Sequence, residues 1–306
     1  MAAHPDGIRL VHTPFYPALV LLAALWGGSF LFMRIAAPVL GPVWLIGLRV
    51  LLAGLVLLPL LVQRGQFSSL RRHWRLLLLV GCLNAAAPFT LLAYSALELT
   101  AGMTSILNAT VPIFAALIGY AVYAEAFDMR RAIGVLLGFG GVVVLVGLPQ
   151  DGTPLPLLSV AAGLLAAVSY VFAANLARRR LTHVPAMVFV TGSQLGAALV
   201  LLPLLPVFPP PQVPGWGVVA AVVALAVLST ALAFLIYFRL IREVGPQRTL
   251  TVTYLIPVFA IAWGAIWLDE ALTLNMLAGG LLILLGVGLA NRKTGGPLGV
   301  VQTEKA

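Results

Sequence analysis

"VPIFAALIGYAVYAEA", Val111–Ala126, returns later in the chain as "IPVFAIAWGAIWLDEA", Ile256–Ala271. The two stretches align without a gap at a constant offset of 145 residues. Pro112 falls on Pro257, Phe114 on Phe259, Gly119 on Gly264, and Glu125-Ala126 on Glu270-Ala271. Each is an apolar run of helix length, broken by a proline and closed by an acid. The correspondence continues outward, with Gly134 on Gly279 and Gly141 on Gly286. Weaker echoes lie at nearby offsets: "LVLLPLL" occurs at 55–61 and 199–205, and "GSF" at 28–30 faces "VSY" at 168–170. The chain therefore reads as two halves, 15–150 and 151–291, with tails 1–14 and 292–306.

Composition names the solvent. Of 306 residues, 61% are hydrophobic and 9% charged, where a soluble domain carries about 25% charged residues. Such a chain cannot cover itself with water-loving groups, so lipid is its expected surroundings. Ten apolar runs are near the length that crosses a hydrocarbon core: roughly 15–36, 43–63, 75–97, 102–123, 131–148, 156–177, 185–205, 216–239, 248–268 and 273–291. "YAEAFDMRR" separates spans four and five, because its four charges are costly in lipid. The expected class is an all-α integral membrane protein of ten transmembrane helices.

The net charge of +9 would suggest nucleic acid in a soluble protein. Here the basic residues mark topology instead. They fall in alternate connections: Arg64, Arg71, Arg72 and Arg75; Arg130 and Arg131; Arg178–Arg180; Arg239, Arg242 and Arg248; and the C-terminal tail. The intervening loops, such as "APVLGP" and "PQDGTPLP", hold no Lys or Arg. Of 18 basic residues, Arg34 and Arg49 break the pattern. By the positive-inside rule both termini are expected in the cytoplasm, as in a bacterial inner membrane. Five spans per half is an odd number, so the second half enters from the opposite side. That arrangement, an inverted repeat, recurs in secondary transporters because two antiparallel copies give two near-equivalent conformations.

"LLAALWGGSFLFMRIA", "GPVWLIGLRVLLAGLVLLPLL" and the two Pro…Glu-Ala segments before Gly-rich final helices resemble the EamA family of the drug/metabolite transporter superfamily. The resemblance covers about 16–291. It implies ten helices around a basket-like central cavity and export of small metabolites, most readily amino acids of the aromatic or broad-range type. A sugar-phosphate or nucleotide-sugar exchanger and a drug efflux pump are the alternatives.

Polar groups at membrane depth tend to face the bundle interior. The expected cavity residues are Trp26, Ser29, Asn84, Asn108, Ser169, Tyr170, Gln194, Ser229 and Tyr254. Pro112 and Pro257 each remove a backbone donor in mid-helix and are read as hinges. Spans five and ten carry "GVLLGFGG" and "GGLLILLGVG"; small residues allow close helix approach, so these two are assigned to packing or to a homodimer contact. Arg49, Glu98 and Glu270 are the structural or gating charges. Arg49 either pairs with an acid near the external end (Glu98, Asp269 or Glu270) or meets a substrate carboxylate, the pairing being preferred. No Asp or Glu falls at the centre of a span, so a buried carboxylate proton relay is not expected. Phosphate would call for several cations in the cavity, and Arg49 alone is at depth, which favours a zwitterion or neutral metabolite. An intramembrane enzyme would need a buried His, a nucleophile or metal ligands. None is evident, so neither enzymatic activity nor any metal or cofactor is expected.

Overall fold

The computed structural model describes residues 15–125, 127–147 and 156–291. Both tails, Ala126 and residues 148–155 lie outside the described residues, and with them the expectations placed there. Every regular element among the described residues is helical. A helical run, Phe15–Gln63, contains one residue outside helical space, Gly41 at φ 73 and ψ 154. It divides there into α1 (15–40) and α2 (42–63). α3 is Trp74–Glu98, α4 Ala101–Tyr123, α5 Met129–Val146, α6 Leu157–Arg180, α7 Ala186–Val207 and α8 Trp216–Val244. α9 is Val252–Leu268 and α10 Leu274–Asn291. Seven runs, counting Phe15–Gln63 once, are long and apolar enough to cross a membrane, while α9 and α10 are shorter apolar helices.

Several boundaries differ from the sequence expectation. The "APVLGP" loop shrinks to the single residue Gly41, because only glycine takes that backbone conformation without strain. Pro42 then opens α2, where a missing N–H costs nothing. A short basic helix, Phe67–Arg72, links α2 to α3. α4 is interrupted by a turn at Ala109 and Thr110. Pro112 therefore lies in the first turn of a new helical segment rather than in mid-helix. The second half breaks earlier, after a one-turn helix Pro246–Thr249, and Pro257 sits inside an unbroken α9. The two prolines are equivalent in sequence but not in local structure.

Contacts place the connections at two ends. His73 and His183 meet at 3.2 Å and Arg178 meets Glu125 at 3.4 Å, so the α2–α3, α4–α5 and α6–α7 connections share one end. At the other, Gln212 N–H donates to Val39 O at 3.1 Å, Trp44 Nε1 donates to Leu205 O at 2.9 Å, and Glu270 accepts from Ala101 N–H. The described connections without Lys or Arg, α1–α2, α3–α4, α7–α8 and α9–α10, are joined by these contacts. The outer faces carry rows of exposed apolar side chains, such as Leu136 and Val143 on α5, Val219 and Val223 on α8, and Leu281 and Leu285 on α10. Water would not tolerate so wide an apolar surface; hydrocarbon does.

The most extensive helix contact joins α5 to α10. A β-carbon on Gly279 would lie 2.6 Å from Leu145 N, and one on Gly134 would lie 2.7 Å from Gly286 O. Gly141 meets Gly279 and Ile283 in the same way. The backbones touch because these positions have no side chain. The glycine faces of the two expected packing spans are thus spent on each other within one chain. Gly140 and Gly288 face open space, which leaves the outer sides for any second copy.

Two helices widen at their centres. Cys82–Ala86 in α3 and Val227–Leu232 in α8 are π-helical. Their first residues are separated by the same 145 positions as the opening motif. A π turn breaks the i→i−4 pattern and leaves backbone acceptors for side chains. Ser169 Oγ donates to Leu83 O at 2.7 Å, and Thr230 Oγ1 donates to Leu225 O at 2.8 Å.

Candidate functional site

The wide turn in α8 sets the first element of the site. Thr230 gives its proton to Leu225 O, so its oxygen faces outward as an acceptor. Arg49 Nε donates to that oxygen at 3.0 Å. The guanidinium carbon lies 3.7 Å from the centre of the Phe89 ring, a stacked cation–π contact. The Phe89 ring in turn meets the Tyr170 ring, centroid to centroid, at 6.3 Å. Helices α2, α3, α6 and α8 thus converge on one guanidinium, which is 3% exposed. No carboxylate lies within 4 Å of it among the described residues. The expected pairing of Arg49 with an external acid is not formed. Arg34 takes that place: its Nε lies 3.6 Å from Glu270 Oε1, and its Nη1 donates to Ala96 O and Leu97 O.

Other expected residues fall into three groups. Ser29 and Ser229 are buried, and neither hydroxyl finds a partner. They lie near one another, since a β-carbon on Gly28 would be 3.9 Å from Ser229 Oγ. Gln194 is buried with both amide atoms unpartnered, and Asn108 Oδ1 is unpartnered as well. Ser169 is already committed to the backbone of α3. Asn84 sits inside the wide turn of α3. Trp26 packs on α8, with ring centroids 5.2 Å from Tyr237 and 6.0 Å from Phe234. Tyr254 packs elsewhere, against the apolar cluster that holds Ile283 and Val287 of α10. The bundle is closed over these groups. A groove along the outward face of α8, lined from Trp216 to Leu228, contains none of them.

The two acids act at the ends. Glu98 Oε2 accepts from Ser159 Oγ at 2.6 Å and ties the end of α3 to the start of α6. Glu270 accepts from Ala101 N–H through both oxygens, at 3.0 and 3.1 Å, at the N-terminus of α4. Burial pushes the Glu270 carboxyl above the ordinary carboxylate range; the Ala101 N–H, Arg34 and the Gly102 N–H pull it back. Phe89 was missed from sequence because an apolar residue in an apolar helix carries no signal. Arg34 was noticed there only as an exception to the charge pattern.

The sequence matches the EamA-like transporter family twice, over residues 15–147 and 157–292. It is 26% identical over 280 residues to "Uncharacterized transporter YvbV" of Bacillus subtilis, covering 90% of this chain and 91% of that one. It is 26% identical over 284 residues to a "Probable terminal-alkyne amino-acid exporter" of Streptantibioticus cattleyicolor, covering 90% and 93%. To "Uncharacterized inner membrane transporter YedA" of Escherichia coli it is 25% identical, with 82% of each chain covered. A solved crystal structure superimposes with a TM-score of 0.62 at 22% identity, over 90% of this chain and 95% of the other, which supports the fold alone. A helical multi-pass membrane protein matched along nearly its whole length in this way belongs to the EamA-like transporter family of the drug/metabolite transporter superfamily.

Proposed function

We propose that this transporter exports small metabolites, amino acids foremost, by alternating access between two inverted five-helix halves. The observation that carries the substrate class is the alignment to the terminal-alkyne amino-acid exporter, which spans almost all of both chains. The inverted arrangement is supported by contacts that map onto themselves. Gly134 touches Gly286, and Gly279 touches Gly141; adding 145 to Gly134 and subtracting 145 from Gly286 turns the first contact into the second. Ala124 and Asp269, the two non-glycine residues at positive φ among the described residues, are also 145 apart. In this reading the unpartnered groups Ser29, Asn108, Gln194 and Ser229 face a central cavity that opens in another conformation. The charge pattern of the loops supports cytoplasmic termini, and the E. coli relative supports an inner membrane.

The test is counterflow in liposomes containing the purified protein, preloaded with a mixed amino-acid pool. Labelled amino acids, a sugar phosphate and a lipophilic cation are offered in turn. Amino-acid exchange that falls in Asn108→Leu and Gln194→Leu supports the reading. Exchange of the cation or the sugar phosphate alone overturns it.

A further inference from the structure

We infer that Arg49 is the receptor for a substrate carboxylate, and that the site discriminates by this negative group rather than by an amine. The inference rests on the transport reading above and deepens it. A guanidinium stays protonated in any protein environment. An ion held in a low-dielectric interior without a counter-charge is disfavoured by several kcal/mol. Arg49 is 3% exposed, and its partners among the described residues are one hydroxyl and one aromatic face. Neither neutralises a charge. Chains with a structural buried arginine place an acid beside it, as this chain does for Arg34 with Glu270. At Arg49 the acid is missing.

The geometry of what is used points the same way. Thr230 occupies the Nε edge, and Phe89 covers one face of the guanidinium. Thr230 is itself fixed, because its proton is committed to the wide turn of α8. The arginine is therefore held from one edge and one face. The edge formed by the two Nη groups has no acceptor among the described residues, and that edge is the fork that binds a carboxylate through two parallel hydrogen bonds. Tyr170 and Phe89 supply aromatic surface beside it, and Ser29 and Ser229 offer hydroxyls without partners.

The charge balance gives the ligand class. No Asp or Glu lies at mid-depth to meet an ammonium group. A monocarboxylate leaves the occupied site neutral, whereas a zwitterion leaves it with one positive charge. Organic acids with an apolar or aromatic body should therefore bind at least as well as the matching amino acid.

The experiment uses wild-type protein in liposomes exchanging labelled phenylalanine, with three unlabelled competitors. 3-Phenylpropionate lacks the amine, phenethylamine lacks the carboxylate, and phenylalaninamide masks it. The expected result is competition by 3-phenylpropionate, with the other two weaker by about 10- to 100-fold, the range of a lost hydrogen bond to a charged group. Arg49→Lys should keep part of this preference and Arg49→Gln should erase it. Equal competition by phenethylamine overturns the inference while leaving amino-acid export standing. If phenylalanine is not exchanged at all, the export reading is in question. The same three compounds are then tested for thermal stabilisation of the detergent-purified protein. Stabilisation by 3-phenylpropionate alone supports the assignment of Arg49, and its absence overturns it.

Discussion

The turns after α4 and α9 begin alike and finish differently. Each helix ends on a non-glycine residue in the left-handed region, Ala124 at φ 54 and Asp269 at φ 52. In each, the following glutamate N–H reaches back to a glycine carbonyl, Glu125 to Gly119 at 2.9 Å and Glu270 to Gly264 at 3.2 Å. The backbone has been copied. The carboxylates then part company. Glu270 sits on the N-terminus of α4 with Arg34 beside it, and its side chain is 11% exposed. Glu125 meets Arg178 in the open, 40% exposed. The two turns stand at opposite ends of α4, whose 23 residues span about 34 Å at the usual helical rise. One difference in sequence accompanies the difference in bonding. Where the Glu270 turn finds Ala101, the position 145 residues later is Pro246, and proline has no N–H to give. The acid was repeated and its donor was not, and the Glu270 turn is bonded where the Glu125 turn is open.

The largest effect should separate the two arginines. Arg34→Met leaves Glu270 half-buried without a counter-charge and two carbonyls, Ala96 O and Leu97 O, without donors. It should destabilise the protein by about 2 kcal/mol. Arg178→Met loses only an exposed pair and should cost less than about 0.5 kcal/mol. Unfolding in detergent micelles compares the two directly, and equal losses would erase the contrast between the ends.

The next effect is a pH dependence belonging to Glu270. Its folded carboxyl holds its proton more tightly than the unfolded one, because burial outweighs the Ala101 N–H and Arg34. Below the ordinary carboxylate range both states are protonated and nothing changes. Between that range and the raised folded value, the unfolded chain has released a proton that the folded chain still holds, so stability falls as pH rises. Above the raised value the loss is complete. Thermal unfolding of Glu270→Gln should lack this downward step, while Glu125→Gln should retain it. A step that survives in Glu270→Gln assigns it to another group.

The smallest effect tests the cause. Pro246→Ala restores an N–H at the position matching Ala101. Stability should change by less than about 1 kcal/mol, as for other proline replacements in turns. The Glu125 end should close more often. A cysteine at Tyr123, in a Cys82→Ser background, should then react more slowly with a water-soluble maleimide. An unchanged rate would mean that the missing N–H is not what keeps this end loose.

Legibility followed polarity. The helices were readable because charges and Pro/Gly breaks interrupt apolar runs, and "YAEAFDMRR" divided α4 from α5 correctly. The EamA family was readable from spans one and two and the paired Pro…Glu-Ala segments. The bend at Gly41 was not, since a loop of six residues and a single left-handed glycine look alike in a string of Ala, Pro and Gly. Pairing was the harder problem. Arg34 and Arg49 were both visible as exceptions, but nothing local says which of two cations the distant Glu270 will choose. The wide turns of α3 and α8 were invisible because a π segment has no composition of its own; aligned at the same offset, "CLNAA" and "VLSTAL" share a Leu and an Ala, the commonest residues of any apolar helix.

Those wide turns act as notches in otherwise regular cylinders. Both lie at the same distance from the repeated Pro…Glu-Ala segment, and both halves match one family. A π turn is a rare local departure from the α-helical pattern, and here each one lies beside a serine or threonine hydroxyl that donates to a main-chain carbonyl, Ser169 to Leu83 in one case and Thr230 to Leu225 in the other. In α8 the same notch turns a threonine oxygen toward Arg49, so a change in helical winding decides where a buried cation is held.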